Sequence, residues 1–418
     1  MKKLVCVHLL NDFSGSPKVL SQVISAVSDR NYTVDLYVGN ASEGFLSNTA
    51  ASTFTYAYKR SNNKFFTLLS LLSSQIHLAF KILKYRNKDV IIYVNTLLPF
   101  GAALIGRLLG KRVIYHVHET SLRPKLFKQF LRWIVIKTAS KIIFVSNSLK
   151  DQEQFKNKKQ EVVYNTLSKS FSEQAASFCY TPLDENGNFN VYMIASLKPY
   201  KGIHEFVAIA QKSRVNKSLQ FFLILNAKEN EIDYYFKNIE LPENLRILST
   251  QQDLHQHYLN AGLVLNLSRV NQWVETFGLT IIEAMAYGIP VIVPPVGGPS
   301  EIVENNVEGY LISSYNIGEI VDKIEKLFKS IKKFSFELDM SYFNFHKSVN
   351  TNLSSKFTNL FGEKRNKEEH YQSQTHWKSP TPFIFPVPPH LLSLYPRNYF
   401  TPLKIPTPCI QTTRTINC

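Results

Sequence analysis

Apolar residues recur along this chain at two periods, and the two periods alternate. Short β-branched runs stand at 4–10, 33–38, 90–96, 112–118 and 141–146, and segments with helical spacing lie between them at 17–28, 64–86, 100–109 and 124–138. A second set of short runs follows at 190–196, 219–225, 244–249, 262–268 and 290–295. Strands that are apolar throughout are buried on both faces, and repeated strand–helix units place them in a mainly parallel sheet. The pattern predicts an α/β protein of two Rossmann-like domains. The first covers residues 1–165 and the second 190–342. Between them, residues 166–189 show no period and include Pro182 and an Asn186-Gly187 turn, which predicts a linker.

The pattern stops near Gly362. Nine prolines then fall between Pro380 and Pro408, and no acidic residue follows Glu369. Proline at this density excludes helix and sheet interior. Residues 362–418 read either as a proline-rich interaction arm or as a segment without a selected role, of the kind a shifted reading frame produces. The abrupt change in composition favours the second. The stretch from Phe65 to Leu83 has membrane-span length but holds Ser70, Ser73, Ser74, Gln75, His77 and Lys81, so it predicts a helix packed on the sheet and not a transmembrane segment.

Composition agrees with two buried cores: of 418 residues, 44% are apolar and 19% charged, which excludes a disordered or fibrous chain. Cys6, Cys179, Cys409 and Cys418 form no CxxC pair, which points away from a disulfide framework or zinc site and towards a reducing, cytoplasmic setting. The first residues read as a strand and not as a signal peptide. The net charge of +16 is one-sided, since residues 59–141 hold 16 basic side chains against Asp89 and Glu119 alone. Such a face attracts an anionic partner or simply remains solvated. No RNA- or DNA-binding motif accompanies it, so nucleic acid is not an expected partner. Within it, Arg123, Lys125, Lys128, Arg132 and Lys137 alternate with apolar residues. That is either a cationic helix lying on anionic lipid at the inner face of the cell membrane or a sheet-covering helix with a basic outer face.

The candidate chemistry concentrates in Glu275-Thr-Phe-Gly-Leu-Thr-Ile-Ile-Glu283-Ala-Met-Ala-Tyr-Gly-Ile-Pro290. A Phe-Gly-Leu turn opens a helix there, and Gly288 and Pro290 close it. Glu275 precedes the helix and Glu283 lies inside it, so both reach a ligand at the helix N-terminus, where free N–H groups favour a phosphate. A carboxylate also accepts two sugar hydroxyls at once, although an exposed turn with two surface glutamates would carry the same letters.

This segment resembles the ExFGxxxxEAMAxGxPVI signature of retaining glycosyltransferases of family 4, which have the GT-B fold: two Rossmann-like domains with parallel sheets facing a central cleft. Further resemblance lies in residues 114–119, 143–148, 195–202 and 297–303 and extends over nearly the whole chain to about residue 361. It implies a metal-independent, hexosyltransferase-type enzyme that takes a sugar from a UDP- or GDP-sugar and passes it, with retained configuration, to a glycan or lipid-linked acceptor in bacterial surface polysaccharide synthesis. No cofactor is implied. Glu283 would hold the ribose hydroxyls, and Glu275 would sit beside the donor sugar, with the amides of Phe277, Gly278 and Leu279 near its hydroxyls. Lys201 would neutralise the diphosphate as the leaving group departs, and Gly15 would let the backbone approach the donor phosphates. His118 would contact the donor sugar from the carboxyl end of its strand. Family members have arginine where Ser196 stands here, and Lys198 is a candidate substitute. Glu301 would cap the helix that follows Gly297-Gly298. His116 shares a strand face with His118, but no further ligand cluster supports a metal site. A last helix at 343–361 would cross back to the first domain. The alternative function is a catalytically silent GT-B scaffold in a polysaccharide assembly.

Overall fold

The structure is a computed structural model, and it describes residues 2–335 apart from 40, 41, 62 and 121. All of these lie within one compact unit. The expected helix at 343–361 and the proline-rich 362–418 fall outside the described residues.

The first half is a seven-stranded sheet made of β1 (Lys3–His8), β2 (Thr33–Val38), β3 (Ser52–Thr55), β4 (Val90–Asn95), β5 (Arg112–Val117), β6 (Lys141–Phe144) and β7 (Gln160–Val162). The strand order is β3-β2-β1-β4-β5-β6-β7, with every pair parallel. Helices α1 (Gly15–Ser28), α2 (Lys64–Ile82), α3 (Phe100–Leu108), α4 (Lys125–Thr138) and α5 (Asn147–Glu153) make the connections. A further helix, α6 (Lys169–Ala176), occupies part of the stretch read as an aperiodic linker. Ser168 caps it by accepting from the Phe171 amide.

The second half is a six-stranded parallel sheet of β8 (Phe189–Ser196), β9 (Leu219–Asn226), β10 (Leu245–Leu248), β11 (Leu263–Leu265), β12 (Val291–Val293) and β13 (Gly309–Leu311), in the order β10-β9-β8-β11-β12-β13. Its helices are α7 (Ile203–Ser213), α8 (Glu229–Phe236), α9 (His255–Leu259), α10 (Leu279–Ala286), α11 (Pro299–Ile302) and α12 (Ile317–Ser335). The strands that periodicity missed, β3, β7 and β13, are sheet edges of three or four residues, and β3 is largely exposed, so none carries a continuous apolar run.

In each sheet the order reverses beside its first strand, between β1 and β4 and between β8 and β11. Loops diverge at such a switch point and leave a crevice outside the carboxyl ends of the strands, where open α/β sheets bind ligands. His8 and Asn95 end β1 and β4. Ser196 ends β8, and Ser268 follows β11. The two halves also share one buried core that joins Tyr37 and Val94 of the first to Phe277, Ile281 and Tyr287 of the second.

Candidate active site

Glu275 and Glu283 are both part of the cleft, but their surroundings differ. Glu283 lies in α10 and its side chain is 1% exposed. Its Oε2 accepts from the Tyr258 hydroxyl at 2.8 Å, and its Oε1 lies 2.6 Å from Lys18 Nζ of α1, in the other half of the molecule. Burial and the neighbouring carboxylate raise the Tyr258 pKa well above its ordinary value, so the phenol remains a donor. The Lys18 ammonium passes between the rings of Phe45 and Phe171, 5.2 and 5.7 Å from their centroids. Lys18, Phe45 and Phe171 border a cavity of about 130 Å³ whose apolar walls also include Phe13, Ile194 and Ile224. Its polar rim runs through Asn226 and residues 250–253.

Glu275 is paired within its own half. Its Oε2 lies 2.6 Å from Lys201 Nζ and accepts from Ser268 Oγ at 3.0 Å. Burial alone would raise this carboxyl's pKa. The Lys201 charge outweighs it, together with hydrogen bonds from Lys201, Ser268 and Asn266, and the net value lies below the usual range. Lys201 closes a short 3₁₀ turn (Pro199–Lys201) after β8, so the second switch point supplies both partners.

Two glycine features shape this wall. Gly278 adopts φ 98° as the N-cap of α10, a left-handed conformation that side-chain-bearing residues rarely take, and a Cβ there would lie 2.5 Å from Ile281. Gly297 and Gly298 pack beneath the loop that carries Glu275: Cβ atoms on them would come within 2.3 Å of the Glu275 and Thr276 carbonyl oxygens. The Gly-Gly pair therefore supports Glu275 from below, and Gly298 N donates to Glu275 O at 2.9 Å.

Across the cleft, Gly15 opens α1 directly against the start of α10, where a Cβ would stand 3.5 Å from Leu279 Cδ1. Phe277 is buried in the core, so only its backbone is left to meet a ligand, while Leu279 is half-buried against that core. Lys198 is exposed at the head of the 3₁₀ turn. Glu301 was expected to cap its own helix, α11, but it reaches the first half instead. Its Oε2 accepts from Asn147 N at 2.9 Å and Tyr164 OH at 2.8 Å, and its Oε1 accepts from Ser148 N, so it caps α5.

His118 follows β5 and joins a separate polar cluster at the first switch point. Its Nε2 is 2.9 Å from Asn95 Oδ1, and Asn95 Nδ2 is 3.1 Å from His8 Nδ1. Burial, with His116 and His8 nearby, holds the His118 pKa well below its ordinary value, so the ring is neutral at physiological pH. The His116 ring lies 4.2 Å from that of His118, and its Nδ1 pairs with Tyr93 OH at 2.7 Å. Among the described residues no group of three or more His, Cys, Asp or Glu side chains is placed to hold a metal ion. Glu119, at the same strand end, has its pKa pushed up to about 7 by burial, against hydrogen bonds from backbone amides and Thr96.

The structure thus joins Glu275 with Lys201, and Glu283 with the helix that Gly15 opens. His118 belongs to a different cluster, and Lys198 to the solvent side. Lys18, Tyr258 and the aromatic cavity walls did not stand out in the sequence, and Glu119 did so only as an acidic residue in a basic stretch and as the end of the 114–119 resemblance. Lys18 meets its partner across 265 positions, and no local spacing signals such a pair.

Known proteins carry the same architecture. A family model described as Glycosyl transferases group 1 matches residues 182–335, and one described as Glycosyltransferase Family 4 matches residues 13–168. A probable sucrose-phosphate synthase of Thermosipho melanesiensis is 26% identical over 170 residues, 39% of this chain; the match spans only 40% of that relative's length. An uncharacterized 41.2 kDa protein in the cps region of Klebsiella pneumoniae is 25% identical over 61% of this chain and 73% of its own. The crystal structure of Anabaena HepE in complex with UDP-glucose superposes with a TM-score of 0.64 at 19% identity, covering 86% of this chain and 99% of that one. With the two parallel sheets facing one cleft, the fold is GT-B, and the chain belongs to the family 4 glycosyltransferases.

Proposed function

We propose that the protein transfers a sugar from a nucleotide-diphosphate sugar, with retained anomeric configuration, to a glycan or lipid-linked acceptor in surface polysaccharide synthesis. The environment of Glu283 carries this reading. A buried carboxylate is held from both halves of the molecule, its partner Lys18 lines an apolar-walled cavity suited to a nucleobase, and its two oxygens suit the two hydroxyls of a ribose. The UDP-glucose bound by Anabaena HepE supports the same class of donor.

In this reading the diphosphate lies between the N-terminus of α10 and Lys201, where amide groups and one ammonium meet the charge that grows on the leaving group. These donors take the place of a metal ion. Glu275, fixed by Lys201 and Ser268, orients the sugar and forms no covalent bond to it. The departing phosphate takes the acceptor proton on the face from which it leaves, which preserves the configuration. His118, neutral and tethered to Asn95, offers the sugar a hydrogen bond from the first half.

Calorimetric titration with UDP, GDP and their sugar conjugates tests the donor site: one nucleotide binds saturably to the native protein. NMR of the transfer product should then show an unchanged anomeric configuration, with turnover that survives EDTA. An inverted product would refute the mechanism. Absence of binding to every nucleotide would favour the silent scaffold.

A further inference from the structure

Helix α2 carries two apolar stripes. One, containing Leu71, Leu78 and Ile82, is buried with Gln75, which accepts from the Gly101 amide of α3. The other consists of Phe65, Leu69, Leu72, Ile76 and Phe80, continued by Leu83 in the 3₁₀ turn that follows the helix, and all six are 39–68% exposed. At helical spacing these six fall within a wedge of about 80° and run roughly 27 Å along the axis, on the side away from the buried stripe. Single exposed apolar residues are ordinary, but an unbroken stripe of this length marks a surface that is covered in use. Helix α3 packs against both α2 and α4, and α4 has a shorter stripe of the same kind, Leu126, Phe130 and Trp133.

Charge identifies what covers it. Lys59, Arg60 and Lys64 precede the stripe, Arg86 and Lys88 follow it, and all are exposed. With 16 basic and two acidic side chains over residues 59–141, a second copy of this surface would bring like charges together. An anionic bilayer would take the apolar stripe into its acyl boundary and the cations onto its headgroups. The helix is long and apolar enough to cross a membrane, but its inner face is fixed to the protein, so the geometry is that of a helix lying in the interface. The cationic helix α4, which the sequence offered for this role, has two of its four basic residues, Lys128 and Arg132, bound to the buried Glu153. The principal contact therefore passes to α2.

We propose that the outer face of α2, extended by α4, docks the protein flat on an anionic lipid bilayer. Because α2 runs from the end of β3 towards the start of β4, its Phe65 end lies at the carboxyl edge of the first sheet, the edge that carries His118. Docking then brings the cleft to the membrane surface. It requires no property of the donor site.

The test is co-sedimentation of the full chain with phosphatidylcholine vesicles, with and without about one third phosphatidylglycerol. The native protein should pellet with the anionic vesicles and remain in solution with the neutral ones. Replacing Phe65 and Phe80 together by glutamate should lower partitioning at least about tenfold. Lys59→Gln, Arg60→Gln and Lys64→Gln combined should lower it about 100-fold, with an unchanged melting temperature. This second variant carries the test if the first fails to fold. The proposal is overturned if the native chain ignores anionic vesicles, or if both variants pellet as it does. It is also overturned if the native chain is a dimer that the apolar substitutions dissociate, because a second copy would then cover the stripe.

Discussion

The two ends of the cleft solve the same problem, a buried carboxylate, in different ways. At one end Glu275 is completed within the second half by Lys201 and Ser268, so that site exists whether or not the halves meet. At the other end Glu283 has one partner from its own half, Tyr258, and one from the opposite half, Lys18. Burying a charge without a partner costs several kcal/mol, so the second arrangement links the state of Glu283 to closure of the cleft. A ligand that hydrogen-bonds Glu283 takes over part of what Lys18 supplies. The end assigned to the sugar and diphosphate is preformed, while the end assigned to the nucleoside is assembled by closure.

The largest expected effect breaks the comparison at the assembled end. In the proposed site Glu283→Ala removes two charge-assisted hydrogen bonds to a ribose and should weaken nucleotide binding about 1,000-fold, read by calorimetry. At the preformed end, Lys201→Ala should lower turnover about 100-fold or more while binding of the bare nucleoside is preserved, because Lys201 meets charge that develops during transfer. Lys18→Ala should leave nucleotide affinity within about tenfold but release closure, seen as a larger radius of gyration for the free protein in small-angle scattering. Glu301→Ala removes the cap that the second half lends to α5 and should destabilise the protein by about 1–2 kcal/mol in chemical denaturation.

A further effect concerns pH. Glu119 has a folded pKa of about 7 against an ordinary 4.5, so the folded state retains its proton over a window in which the unfolded chain has lost it. Its contribution to stability is complete below about 4.5 and disappears as pH rises through 7. His8, lowered to about 4, and His116, lowered to about 3, act in the opposite sense: their contribution is present above 6.5 and lost as pH falls towards those values. The comparison with Glu119→Gln isolates the glutamate. Melting temperature should fall more steeply between pH 5 and 7 in the native protein than in the variant.

Much of this architecture was legible in the sequence because a strand buried on both faces must be apolar throughout. The runs that form β1, β4, β5, β8 and β9 could not be mistaken. Edge strands escape this rule, and so did β3, β7 and β13. Helix α6 was missed because it is only eight residues long and has one fully buried side chain, Ala175. Of the site, Glu275, Gly278 and Glu283 were legible together because a single turn and helix fixes their spacing. Lys18 and Glu301 act across the cleft, and their importance lies in partners more than a hundred positions away. The outer stripe of α2 was in plain view as letters, but polar residues among it suggested simple packing. Only the separation of one apolar face from the other reveals a second surface.

In the proposed donor site Glu283, and not Glu275, holds the nucleoside. Titrating UDP and GDP alone, without a sugar, into the native protein, Glu283→Ala and Glu275→Ala tests it most directly. The nucleotide that the native protein binds should be lost with Glu283→Ala and retained, within about tenfold, with Glu275→Ala. Loss with Glu275→Ala and retention with Glu283→Ala would contradict it and move the nucleoside to the preformed end of the cleft.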